Sequence, residues 1–320
     1  MAESANPVSE KKQHWNDYSS LQKGVFLSDE QLRALQELLA VMLRDIVGVC
    51  DKYQIPYFLV GGTALGAVRH SGFIPWDDDI DIAMFRKDYE RFLSCFADEF
   101  QEKYHIQSPE YTDGYPSLIP RVRSWGNVVR SREDLWTDDA HSGAWVDVFV
   151  IENTFDNALL RFLHGVTSLA AAGLLACRKT FAVRKSLRPF VIPGSKYARK
   201  VLLRSFIGGM IAWLPVNFWR KAALACNRMC KSGKGRVVTV PAGHWRFFGD
   251  MYERKLFTGN RMADFCGLTC RIPVETENYL EHCYGSWQTL PPEEKREKHF
   301  FCSFSINADS KTSEAAKEMV

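Results

Sequence analysis

Five aspartates carry the chemistry this sequence offers. Asp77, Asp78, Asp79 and Asp81 crowd into the stretch GGTALGAVRHSGFIPWDDDIDIAMF, Gly61 to Phe85, and Asp147 recurs alone inside WVDVFV. On an extended strand, residues two apart face the same way, so Asp79 and Asp81 share one face while Ile80 and Ile82 turn to the core. Two carboxylates held side by side repel, and one protonates unless a cation sits between them. Asp147, flanked by Val146 and Val148, repeats the pattern on a separate segment. If the two segments are neighbouring strands, three carboxylates converge. An all-oxygen set of that kind suits a hard cation, Mg2+ or Mn2+, which keeps some water and accepts phosphate oxygens. A solvated loop or a calcium loop is the alternative for DDDID, but Ile-Pro-Trp before it and Ile-Ala-Met-Phe after it argue against a fully solvated face. Asp77 and Asp78 are expected to support or cap the ligands.

Gly61-Gly62-Thr63 lies between a short apolar run, Tyr57 to Val60, and a helical pattern. Glycines let backbone N–H groups approach an anion, and a helix N-terminus favours negative charge. An ordinary tight turn explains the same residues. Beside a paired-aspartate cation site, however, a phosphate-sized anion site describes phosphoryl or nucleotidyl transfer. Arg69, Arg121 and Arg123 are candidates to hold a diphosphate, with surface ion pairing as their alternative role. His70 and His299 are expected to be structural hydrogen-bonders.

The elements that must position these residues follow from periodicity. Ser28 caps a helix with Gln31 at the capping-box position, and Leu32, Leu35, Leu38, Leu39, Met42 and Ile46 recur at helical spacing to about Lys52. TALGAVRH is a short helix, DIDIAMF alternates as a strand, and a helix runs from about Lys87 to Phe100. LIPRVRSWGNVVRSRE is expected to fold as a hairpin around Gly126-Asn127. GAWVDVFVIE is a third strand, VVTVPAGHW and LTCRIPVE contain short strands, and Thr276 to Tyr284 is a helix. Helices and strands in this order predict an α+β domain on a mixed sheet.

The net charge of +3 conceals a division. The 93 residues from Asn157 to Gly249 contain 17 Lys or Arg and no Asp or Glu, leaving 24 basic residues against 38 acidic ones elsewhere. This basic middle is helical, broken at Pro189, Pro193 and Pro215. Its uncharged runs, Phe162 to Cys177 and Ser205 to Trp219, fall short of the roughly 20 apolar residues a bilayer span needs. Interfacial helices, with Trp213, Phe218 and Trp219 at headgroup depth, are expected on an anionic membrane surface. A nucleic-acid groove is disfavoured because the arginines interleave with aliphatic helix faces. The polar N-terminus, MAESANPVSEKKQHW, does not resemble a secretory signal, and nine scattered cysteines do not form a disulfide framework. Cys226/Cys230 and Cys266/Cys270 are each four apart, a weaker zinc spacing than Cys-x-x-Cys.

The block GGTALGAVRHSGFIPWDDDIDIAM resembles the LicD family and its fukutin-related relatives within the nucleotidyltransferase-fold superfamily. WVDVFVIE and YLEHCYGSWQTLPPEEKREKH are similar to further segments of that family, so the resemblance covers about residues 30 to 300 and is weakest across the basic middle. It implies a nucleotidyltransferase-like sheet with Asp79, Asp81 and Asp147 as metal-binding carboxylates and Gly61, Gly62 and Thr63 as the phosphate-contacting turn. Members move a phospho-alcohol, such as phosphocholine or ribitol phosphate, from a CDP-linked donor to a glycan hydroxyl. The implied setting is modification of cell-surface polysaccharide or lipopolysaccharide. The alternative is a nucleotidyltransferase moving NMP from an NTP to a small acceptor. One departure is Cys266 in DFCG, where an acidic residue is expected.

The expected organisation is a flexible segment 1–28, a catalytic core 29–153, a basic membrane-surface region 154–235, a C-terminal segment 236–305 completing the site, and a disordered tail 306–320. The expected location is cytoplasmic, peripheral on the inner membrane face, where lipid-linked glycan acceptors are presented.

Overall fold

The computed structural model describes residues 24–136, 141–293, 296 and 300–306. His299 lies outside the described residues, as do 1–23 of the segment expected to be flexible and 307–320 of the expected tail.

Helix α1, Asp29–Lys52, starts at the Ser28 cap: the Ser28 hydroxyl accepts from Gln31 N and the Gln31 side chain returns to Ser28 N. Leu35, Leu39, Met42 and Ile46 of its apolar stripe are at most 1 % exposed. Each such burial contributes about 1.5–3 kcal/mol, so packing rather than propensity holds the helix. Strand β1, Phe58–Leu59, leads into α2, Gly61–His70. Strand β2, Asp81–Phe85, is followed by α3, Arg86–Phe100, and β3, Tyr104–Gln107. Next come β4, Arg121–Ser124, β5, Val128–Ser131, and the long β6, Trp145–Asn153.

The main sheet has the order β1-β2-β6-β4-β3. β2 and β6 are parallel, while β1/β2, β6/β4 and β4/β3 are antiparallel. The sheet is therefore mixed, as expected for an α+β domain. Strand β7, Val237–Thr239, pairs with the far end of β6, and β8, Met251–Glu253, pairs with β7.

The expected 121–131 hairpin does not form. The chain turns at Gly126, whose φ is +79°, but β4 joins the main sheet and β5 instead pairs with β11, Phe301–Ser305. Neighbouring strands bridged by a glycine turn are not obliged to pair when each finds a better-buried partner. The end of the segment expected to be loose is also held, because Val25 bridges to Phe301.

Three helices build the basic middle: α4, Ala158–Leu187, α5, Lys196–Met210, and α6, Val216–Asn227. The breaks fall near the expected prolines. α4 nevertheless continues through Arg178 and Lys179 where the uncharged run stops. Ala158–Phe190 is consequently long and apolar enough to cross a membrane by length and composition, contrary to the estimate from uncharged runs. Strands β9, Arg261–Phe265, and β10, Leu268–Ile272, form a hairpin, and α7, Thr276–Tyr284, stops at Gly285 as its sequence predicts.

Candidate active site

Asp81 opens β2 and Asp147 lies near the start of β6; parallel pairing sets the two in direct register. On the other side of β6, antiparallel pairing sets Arg121 opposite Asp147. In-register residues on adjacent strands point to the same face, so acid, acid and base form one row across three strands. Ile80 and Ile82 are fully buried on the opposite side, which fixes the register of the acidic stretch.

Asp79 precedes the strand. It belongs instead to a loop in which Asp77, Asp78 and Asp79 each bring a carboxylate oxygen within 4.8 Å of the others. Asp77 N donates to Ile74 O at 2.9 Å, and Gln36 Nε2 on α1 donates to the Asp77 carbonyl at 2.8 Å, pinning the loop from both sides. Asp77 and Asp78, expected only as supports, thus sit as close to Asp79 as ligands of one ion would. Among the described residues, this is the group of three metal-competent side chains that lies close enough to share an ion; the cysteine pairs are not part of such a group. None of the nine cysteines is in a disulfide.

The glycine turn lies against these acids. Gly61 has φ +57°, and a Cβ there would come within 2.8 Å of Asp81 Oδ2; a Cβ on Gly62 would come within 2.7 Å of Asp77 Oδ2. The residues that admit close approach at the N-terminus of α2 thereby admit carboxylates, which the helix dipole favours. Thr63 Oγ1 accepts from Asp81 N at 2.8 Å, locking the start of β2 to α2. Gly61 N donates to Tyr279 Oη at 2.8 Å, bringing α7 into the site. Burial pushes the Tyr279 phenol well above its usual value, so it remains a neutral hydroxyl.

Arg121 is committed to acids. Its Nε donates to Asp147 Oδ1 at 2.7 Å and its Nη1 to Asp134 Oδ1 at 3.0 Å, while Trp145 Nε1 donates to Asp147 Oδ2 at 3.2 Å. Arg123 Nη2 also bonds Asp134, and its Nε donates to Gln107 Oε1 at 2.7 Å. Burial pushes the Asp134 carboxyl up, but Arg121 and Arg123, with hydrogen bonds from Ser131, hold it below the usual carboxylate range. Arg69 lies elsewhere: its Nη1 donates to the Trp287 carbonyl at 2.6 Å, tying α2 to the C-terminal segment. Cys266, at the tip of the β9–β10 hairpin, packs against α2 through its N–H, which donates to Ser71 O at 2.8 Å. The site thus gathers Asp77, Asp79, Asp81, Asp147, Gly61, Gly62 and Thr63. Sequence reasoning missed Tyr279 and Gln36, whose partners lie far along the chain, and also Asp134 and Trp145, whose bonds to Arg121, Arg123 and Asp147 depend on how β4 and β6 pack.

Fold and site together define an α+β domain whose mixed sheet presents a row of acids beside a glycine turn. Residues 54–158, which contain that row, match the family model described as LicD/FKTN/FKRP, nucleotidyltransferase domain. The chain thus carries a LicD/fukutin-related family domain. It is 45 % identical over 76 residues to the lipopolysaccharide cholinephosphotransferase LicD of Haemophilus influenzae, a match covering 23 % of this chain and 29 % of that protein. It is 44 % identical over 57 residues to the human ribitol 5-phosphate transferase FKRP, covering 18 % of this chain and 11 % of that protein. The chain therefore matches under a third of the length of either relative.

Proposed function

We propose that the protein is a phosphotransferase that moves a phospho-alcohol from a CDP-linked donor to a glycan hydroxyl. The observation that carries this reading is the in-register pair Asp81 and Asp147 beside the Asp77–Asp79 loop, within the segment that matches the family model. Two relatives are named as transferases of phosphocholine and ribitol 5-phosphate, which favours phospho-alcohol transfer over the nucleotidyl alternative. The cell-surface glycan setting is part of the proposal.

The donor set fits a hard divalent cation, Mg2+ or Mn2+: the clustered side chains are all carboxylates, with no thiol or imidazole among them. Asp79 and Asp81 would hold it, with Asp77 and Asp78 adjoining, and it would supply charge neutralisation at the diphosphate. Asp147 shares its oxygens with Arg121 and Trp145, so its part is to fix the row and, in this reading, to take the proton of the attacking hydroxyl. That hydroxyl oxygen bonds to the phosphorus bearing the alcohol, and the bond from that phosphorus to the CMP oxygen breaks. Positioning and electrostatics dominate such transfers. The α2 N-terminus is the proposed donor contact, while Arg69, bonded to the Trp287 carbonyl at the other end of α2, holds the C-terminal segment in place. Arg121 would act through Asp147, to which its Nε is bonded while its Nη1 holds Asp134.

The test is CMP release from CDP-choline, CDP-ribitol and CDP-glycerol with a pool of bacterial glycans as acceptors, against pyrophosphate release from CTP and ATP. Acceptor-dependent CMP release from one CDP-alcohol supports the proposal. Pyrophosphate release from an NTP, with no CMP from any CDP-alcohol, replaces it with nucleotidyl transfer.

A further inference from the structure

Two helices of the basic middle, α4 in its first turns and α5, turn an apolar stripe outward. Leu159, Phe162, Leu163 and Val166 stand at i, i+3, i+4 and i+7 on α4, the stripe a surface helix normally buries, yet all are exposed. In these first turns the side of α4 that faces the protein carries His164, Gly165 and Ser168, with Leu175 and Leu187 buried further along. α5 repeats the inversion: Leu203, Phe206 and Met210 are exposed at i, i+3 and i+7, whereas Gly208 packs so closely on α4 that a Cβ would meet the Cys177 carbonyl at 2.1 Å. Trp213, in the turn between α5 and α6, is 79 % exposed. Monomeric proteins rarely leave so much large apolar surface open without a partner.

We propose that this face of α4, α5 and the 211–215 turn docks in the interface of an anionic lipid bilayer, lying in its plane and not crossing it. Charge identifies the occupant. Residues 157–249 hold 17 Lys or Arg and no acid, and Arg184 and Lys185 at the end of α4 and Arg199 and Lys200 on α5, one turn before Leu203, are exposed. Long basic side chains reach to headgroup phosphates while their neighbours enter the acyl boundary, and an indole suits the depth between the two. A second copy of this chain would set the same positively charged surface against itself. Nucleic acid would satisfy the cations but leave the aliphatic stripe in water.

The orientation follows from how α4 is tethered. Although Ala158–Phe190 has the length and apolarity to span, its first turns are bound to the globular part. His164 Nδ1 lies 3.1 Å from Thr154 Oγ1 and its Nε2 lies 2.9 Å from the Cys226 carbonyl, Ser168 Oγ donates to Asn227 Oδ1 at 2.6 Å, and Gly165 abuts Phe247 and Phe248. Further on, Arg178 Nε donates to the Leu214 carbonyl at 3.1 Å. A helix with one side committed to the protein offers lipid only its other side. This inference does not depend on the reaction proposed above.

The test is flotation of the full chain with phosphatidylglycerol/phosphatidylcholine vesicles and with phosphatidylcholine vesicles alone, at low and high salt. Wild type should float with the anionic vesicles at low salt, with bound protein falling about tenfold in high salt as headgroup attraction is screened. Phe206→Glu with Trp213→Glu, at exposed positions where circular dichroism should stay unchanged, should also lower bound protein about tenfold. Arg199→Glu with Lys200→Glu gives a second, purely electrostatic variant. Alkaline carbonate should strip the protein from cell membranes. Failure to float at low salt overturns the proposal, as does equal flotation of both double variants. A dimer that Phe206→Glu/Trp213→Glu dissociates, or oligonucleotide binding in place of vesicle binding, overturns the choice of occupant. Retention after carbonate overturns the in-plane orientation.

Discussion

Asp81 and Asp147 lie side by side in register on parallel strands, and Arg121 reaches Asp147 from the strand beyond, its Nε 2.7 Å from Oδ1. The row gives the two acids different surroundings. Asp147 is buried and held by a guanidinium and an indole, whereas Asp81 adjoins the glycine turn and the Asp77–Asp79 loop. On this account, Asp81 and Asp79 face the cation while Asp147 orders the row.

Asp79→Asn and Asp81→Asn should each lower transfer about a thousandfold or more, since a cation contributes several kcal/mol of charge stabilisation and each tenfold in rate is about 1.4 kcal/mol. Because neither side chain supports the core, thermal melting should shift little. Near-wild-type turnover in both variants, measured as CMP release, would remove the assignment.

Asp134→Ala should destabilise the fold by about 3 kcal/mol or more, because it strips Arg121 and Arg123 of a shared buried anion. Urea unfolding measures this, and an unchanged midpoint would contradict it.

The same pair of arginines sets an acid limit. The folded Asp134 carboxyl sits below its unfolded value, so its stabilisation is fully present above the unfolded value and is lost as pH falls through the folded one. Acidification below about pH 4 should therefore cost stability. The slope of stability against pH should be shallower there in Asp134→Asn than in wild type.

Gly61→Ala combines a left-handed φ with a Cβ 2.8 Å from the Asp81 carboxylate. The backbone cost is about 1–2 kcal/mol, and the displaced carboxylate should lower turnover well beyond what that loss of stability explains. Equal turnover at a temperature where both proteins are folded would show that the close approach has no functional role.

Tyr279→Phe leaves the Gly61 N–H without its acceptor, a loss of about 1–3 kcal/mol for a buried group. If Tyr279 only ties α7 to α2, melting temperature and turnover fall together. A fall in turnover with an unchanged melting temperature would contradict that positioning role.

Much of this arrangement is legible in local pattern. The Ser28–Gln31 capping box, the strand that opens at Asp81, the Gly61-Gly62 stop and the end of α7 at Gly285 are each written within a few residues, and each stands where its pattern places it, although Asp79, expected on the same strand, falls in the loop before it. Pairing between distant segments is not written that way. β5 finds β11 across some 170 residues, and nothing near Gly126 distinguishes that outcome from a hairpin. Asp134 and Tyr279 matter through Arg121 and Gly61, contacts that exist only once the sheet has formed. The outward stripe of α4 has the same period as a buried one, so although the basic composition suggests interfacial helices, only the packed structure shows which residues face away.

The central claim is that the acidic row binds a divalent cation together with a CDP-alcohol. A thermal-shift series with CDP-choline, CDP-ribitol, CDP-glycerol, CTP and ATP, each with Mg2+ and with EDTA, tests it on wild type and Asp81→Asn. The account predicts stabilisation by one CDP-alcohol that requires Mg2+ and vanishes in Asp81→Asn. Stabilisation that persists in EDTA or in Asp81→Asn, or that occurs with an NTP alone, would contradict it.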